Sequence, residues 1–290
     1  MRRKLCIFAA IVLTFTVNLA CGVNLNFPED AIEIHESVNE KIRVPAPESG
    51  GRVKVKLNFG TGKLLISPGE KKALIRGTAT YNVEELKPSV VTSGEEVEIS
   101  SGTFDYDLTG LPNFSDIENC WDLRFGQTPM DLSIRAGAFS AELDFGGLAL
   151  HNLDIFGGAS SVILDFSKPN LVPMASFDLT TGASNVQLLH LGNANLSLLK
   201  FKGGGGVYTL DFSGDLSRDA TVEIDAGLST VKIIVPKNVP AQVHVNGVLK
   251  SVNALGKWKG GENSFSQAGV GPGLSISIDT SAGTLTLDNE

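Results

Sequence analysis

Apolar and polar residues alternate along most of this chain, and a glycine punctuates the alternation at a fixed place. Five copies run in succession: Leu132-Ser133-Ile134 then Gly137, Leu153-Asp154-Ile155 then Gly158, Phe177-Asp178-Leu179 then Gly182, Leu199-Lys200-Phe201 then Gly204, and Val222-Glu223-Ile224 then Gly227. The glycines fall 21, 24, 22 and 23 residues apart. A second arm follows each glycine, its middle residue polar in four of the five: Leu143-Asp144-Phe145, Leu164-Asp165-Phe166, Leu189-His190-Leu191, Leu210-Asp211-Phe212 and Ile233-Ile234-Val235. Period-two alternation is the mark of strands with one buried face, and a constant period above twenty residues is the mark of stacked repeats. The expected fold is all-β: a β-solenoid, a single-stranded β-helix-like stack of about 21–24-residue coils with two short strands per coil. Glycine suits the corner because it can take positive φ and has no Cβ to crowd the next coil. An antiparallel sandwich with regularly spaced turns is the alternative.

The same offset appears once near the start. Val53-Lys54-Val55-Lys56-Leu57-Asn58-Phe59 alternates, Gly62 follows, and Leu64-Leu65-Ile66 completes a first coil over residues 53–66. Residues 103–129 break the rhythm and are expected to loop out as a cap, which an open stack needs. After Val235 the repeat decays through a Gly-rich stretch around Trp258, and Leu274–Leu287 carries it a last time. The expected organisation is a signal peptide over residues 1–20, a lipid-anchored tether over 21–50, an N-terminal β region over 51–127, and C-terminal repeats over 128–290.

The signal assignment rests on a basic start, Met1-Arg2-Arg3-Lys4, and an apolar run from Leu5 to Val17 too short to span a bilayer. Asn18-Leu19-Ala20-Cys21-Gly22 resembles a bacterial lipobox, although Asn18 stands where leucine is usual, so Cys21 is the expected lipidation site, with simple secretion or a retained anchor as alternatives. The other cysteines are Cys6, inside the signal, and Cys120, among apolar neighbours. If Cys21 is not lipidated, a Cys21–Cys120 bridge is open to it in an oxidising compartment; otherwise Cys120 reads as an inert, buried thiol.

The net charge of −8 argues against nucleic acid, and against anionic membrane held through a basic patch.

The runs Trp121-Asp122-Leu123-Arg124, Leu132-Ser133-Ile134-Arg135-Ala136-Gly137-Ala138, Leu191-Gly192-Asn193-Ala194-Asn195 and Leu210-Asp211-Phe212-Ser213-Gly214 resemble the bacterial toast-rack family. The opening Val55-Lys56-Leu57-Asn58-Phe59-Gly60-Thr61-Gly62 resembles its N-terminal domain. The resemblance implies a stack of β-strands on an exported, often lipid-anchored protein of uncharacterised function. It also implies likeness to the extracytoplasmic part of regulators that respond to cell-wall-active antibiotics. This chain lacks the transmembrane helices such regulators carry.

Catalytic signals are sparse. His35, His151, His190 and His244 have no metal-ligand spacing, and Gly203-Gly204-Gly205-Gly206 opens a strand rather than the helix of a phosphate loop. One constellation stands out: Asp144, Asp165 and Asp211 occupy equivalent outward positions, with His190 between them, and form a candidate surface ladder; Asp154, Asp178 and Glu223 form a second. Solubility and edge defence account for such a ladder, and calcium, at most weakly held, is its other use. The expected function is a non-enzymatic cell-envelope lipoprotein that binds or senses, without cofactor or metal, and the family resemblance implies a place in an envelope or cell-wall stress response. Its partners would be the membrane through the N-terminal lipid, and an envelope protein or cell-wall glycan. A structural or adhesive surface protein that self-associates or binds glycan through its β faces is the alternative.

Overall fold

A computed structural model describes residues 33–48, 50–102 and 117–289 of the chain. These form fifteen strands in one sheet and two short 3₁₀ turns. The strands are β1 (Val38–Pro45), β2 (Val53–Pro68), β3 (Ala73–Tyr81), β4 (Ser89–Ser93), β5 (Glu96–Ser100), β6 (Asn119–Phe125), β7 (Met130–Asp144), β8 (Leu150–Asp165), β9 (Met174–Leu189), β10 (Leu196–Asp211), β11 (Ala220–Ile234), β12 (Ala241–Leu255), β13 (Lys259–Gly261), β14 (Ser264–Gln267) and β15 (Leu274–Asp288). Their order across the sheet is β1-β3-β6-β2-β7-β8-β9-β10-β11-β15-β12-β14-β13, with β5 and then β4 branching from β2.

The repeats form the parallel middle of this order. β2, β7, β8, β9, β10, β11, β15 and β12 pair in parallel, each with the next. Register carries each apolar position onto its equivalent: Leu57, Ile134, Ile155, Leu179, Phe201, Ile224, Ile278 and Val245 are successive partners. All eight are buried, and burying one such side chain stabilises by about 1.5–3 kcal/mol. A one-residue slip would turn every member outward, so the ladder specifies the register as well as stabilising it.

Each repeat is one strand of 15 or 16 residues rather than two short ones. The two arms are nonetheless distinct. In β10, past the buried Leu196 at its start, the buried positions are Leu199, Phe201 and Gly203 on the first arm, then Tyr208 and Leu210 on the second, so the parity of burial flips between them. β7 and β11 flip in the same way. The backbone inserts an odd step at the glycine while pairing continues on both sides. Both arms then face one core: the rings of Phe201 and Tyr208, on the same strand, meet edge to face at 4.8 Å.

The corner glycines are explained by close approach and not by handedness. A Cβ on Gly137 would lie 3.0 Å from the Gly60 carbonyl oxygen, on Gly158 3.0 Å from that of Gly137, and on Gly182 2.8 Å from that of Gly158. On Gly204 it would lie 3.0 Å from the Gly182 oxygen, and on Gly227 2.2 Å from the Gly204 oxygen. None of these five glycines has positive φ. They form a column in which each repeat rests on the carbonyl of the one before.

The ends depart from expectation. Residues 38–45, expected within the tether, form the edge strand β1 and pair antiparallel with β3. Of the expected cap at 103–129, residues 119–125 form β6, which lies between β3 and β2; residues 103–116 lie outside the described residues. The last repeat in sequence, β15, is inserted between β11 and β12. The N-terminal strand β2 pairs with β7 over Val53–Ile66, so the stack runs on from the first coil into the repeats.

Candidate functional surfaces

The aspartates of the expected ladder sit at the ends of the second arms. Asp144 and Asp165 are register partners across β7 and β8, but the next partner is Leu189 rather than His190. His190 has left the strand, with φ of 51°, and caps the following 3₁₀ turn. Leu189-His190-Leu191 therefore mimics the Leu-Asp-Phe motif in sequence while standing one residue out of step with it. Each acid closes a local contact. Asp144 accepts from the Gly146 amide at 2.8 Å and from the Ser167 hydroxyl at 2.8 Å. Asp211 accepts from the Ser213 amide at 2.8 Å and the Ser213 hydroxyl at 2.9 Å. Asp165 meets His190 Nδ1 at 2.6 Å. The carboxylate that reaches an amide two residues on is an Asx turn, the chemistry of a chain leaving a strand. On the first arm, Asp154 pairs with Arg135 and Glu223 with Lys200, the latter at 3.7 Å. Among the described residues no group of three or more His, Cys, Asp or Glu is arranged to hold a metal ion.

Cys120 is a free thiol on β6, half-buried, and burial pushes its pKa up. A protonated thiol is a poor nucleophile at neutral pH. Cys21 lies outside the described residues.

A second set of residues gathers where the sequence shows no local cluster. β1 reads Lys41-Ile42-Arg43-Val44, with Ile42 and Val44 buried and Lys41 and Arg43 exposed. Arg43 pairs in register with Arg76 on β3, and Arg76 with Arg124 on β6. Arg76 and Arg124 are exposed too, flanked by the buried Ile75, Leu123 and Phe125. Three arginines therefore stand side by side on the outer face of three neighbouring strands, and Lys41 joins them two residues along β1. They line an open groove of about 510 Å³ with Thr78 and Asp122. Glu70 touches this group through its 3.2 Å contact with Arg76 Nε. The amide of Lys72 foremost, with Arg76 helping, holds the Glu70 carboxyl below its ordinary range. Among the described residues, neither Arg43 nor Arg124 has a carboxylate in ion-pair contact. The charge changes sign across the same face: Asp122, Glu142, Asp144 and Asp165 line the neighbouring groove of about 320 Å³.

Residues 32–171 match the family described as the N-terminal domain of toast-rack, DUF2154. That segment, which holds β1 to β8, is similar to the toast-rack N-terminal domain. No curated protein matches the chain. Among solved structures, a "putative cell adhesion protein" from Clostridium sporogenes is similar at 20% identity and TM-score 0.46, covering 88% of this chain and 100% of its own. A "putative adhesin" from Bacteroides fragilis is similar at 10% identity and TM-score 0.46, covering 87% of this chain and 97% of its own. Among the described residues no helix is long and apolar enough to cross a membrane.

Proposed function

We propose that this protein is a non-enzymatic module of the bacterial cell envelope, held at a membrane by lipid on Cys21 and presenting its β-stack to a partner. The observation that carries this reading is the unbroken run of parallel strands from β2 to β12. Such a run offers rows of outward side chains at fixed spacing of about 4.8 Å, a surface suited to lateral recognition. The toast-rack domain over residues 32–171 and the apolar run before Cys21 support the same reading. In it the bent strands are the coils of a solenoid, and the partner is an envelope protein or cell-wall glycan, engaged in a stress response.

Fractionation of native cells tests the anchor. The full chain is expected with the membranes, and Cys21→Ser is expected in the soluble fraction. Recovery of the unaltered chain with cytosolic proteins would sink the reading. Cross-linking in native membranes, with and without a cell-wall antibiotic, tests the partner: a sensor kinase or its membrane partner supports sensing, and self-cross-links alone support the structural alternative. Lys41 and Arg43 on the edge strand β1 weigh against that alternative, because charge on an edge discourages pairing between copies.

A further inference from the structure

We propose that Arg43, Arg76 and Arg124, with Lys41, form a binding site for phosphate groups. This goes beyond the envelope reading and does not depend on it, since it stands on the geometry of β1, β3 and β6 alone.

The arrangement is costly without a ligand. Cross-strand partners lie about 4.5–5.5 Å apart at their Cα atoms, and like charges directly opposite one another are destabilising. Here two such pairs are contiguous, Arg43 with Arg76 and Arg76 with Arg124. The chain has eight arginines in all and a net charge of −8, so three in one row is not an average property of its surface. Glu70 relieves only the central member.

The choice of residue narrows the ligand. A guanidinium presents a planar fork of donors, matched to two oxygens of one oxyanion. A carboxylate has two oxygens and is saturated by one fork. A phosphate has oxygens enough for forks from two neighbours at cross-strand spacing, and carries more charge to offset their repulsion. The neighbouring acids limit the ligand's size. Asp122 lines the arginine groove on its inner side, and Glu142, Asp144 and Asp165 continue the acidic row in the next groove, so a long polyanion laid across the strands would run into negative charge. A compact phosphate fits, whether in a lipid headgroup or free in solution.

The test uses the full chain with Cys21→Ser, so that acylation contributes nothing. Two probes distinguish the sources: vesicles of phosphatidylcholine with and without phosphatidylglycerol, and inorganic tripolyphosphate. The comparison is between Arg43→Gln/Arg124→Gln and Lys259→Gln, which removes a charge on β13 at the far end of the sheet. Salt-sensitive binding to either probe is expected, falling about five-fold for each arginine removed and unchanged in the Lys259 variant. Binding to vesicles alone assigns a lipid headgroup; binding to tripolyphosphate as well assigns free phosphate. The melting temperature of the arginine variant should match or exceed that of the parent, because a repulsion is removed. The proposal is overturned if neither probe binds at low salt, or if the arginine and Lys259 variants bind alike.

Discussion

The glycine column makes single residues decisive. A methyl at Gly227 would stand 2.2 Å from the Gly204 carbonyl oxygen, and backbone on both sides cannot yield cheaply. Gly227→Ala is expected to cost about 2–4 kcal/mol, as forced overpacking does. Gly261→Ala, with nothing within 4 Å of the new Cβ, should change little. Thermal unfolding of the pair checks this. Tyr208 makes the opposite case. Its ring fills the corner against Phe201, yet its hydroxyl and that of Ser184 are buried without a hydrogen bond of normal geometry. Burial pushes the phenol above its ordinary pKa, and nearby Ser184 only partly offsets this. A raised pKa means the contribution is intact below about pH 10 and is lost as pH rises through the folded value. Tyr208→Phe should therefore match or exceed the parent by up to about 1 kcal/mol at neutral pH, and should lessen the fall in melting temperature above pH 10. The acid side has the reverse sign. The Lys56 ammonium, hydrogen-bonded at 2.7 Å, holds Glu96 below the usual carboxylate range, so that contact contributes above about pH 4 and is lost below it. Glu96→Gln should flatten the acid limb of a melting-temperature profile.

Strands divide into those that local pattern reveals and those that it hides. β7 to β11 are legible because alternation and the glycine repeat within each 21–24-residue unit, and parallel stacking in register follows from copying. β1 and β6 are not. Lys41-Ile42-Arg43 and Leu123-Arg124-Phe125 alternate visibly, but their antiparallel partner is β3 in both cases, and pairing at such separations leaves no periodic trace. The arginine row was hidden for this reason, its members lying far apart in sequence. His190 misleads in the other direction: Leu-His-Leu copies the motif, and only the positive φ of His190 shows that the strand ended one residue earlier. Lys41→Val/Arg43→Val tests β1 as an edge. With the charges gone, its outer row becomes apolar, and concentration-dependent association by light scattering is expected. A double variant that stays monomeric would show that the edge is guarded in some other way.

Across the described residues as a whole, one apolar cluster runs from Ile42 to Leu287. Stability in such a stack is approximately a sum of unit and nearest-neighbour terms. Ile155→Ala, in the middle of the central ladder, should cost about 2–5 kcal/mol, read as an earlier transition in urea.

The placement of β15 has a consequence for how the sheet is completed. β11 and β12 are neighbours in sequence and not in the sheet; the strand that joins them is translated after both. Of its native partners only β14 is available to β12 before β15 is made, and the edge of β11 beyond β10 has none. The nascent stack is thus unfinished until Leu274–Asp288 leaves the ribosome and slides between two strands already made, so a message cut short before codon 274 would yield a protein with two raw edges rather than a slightly shorter one.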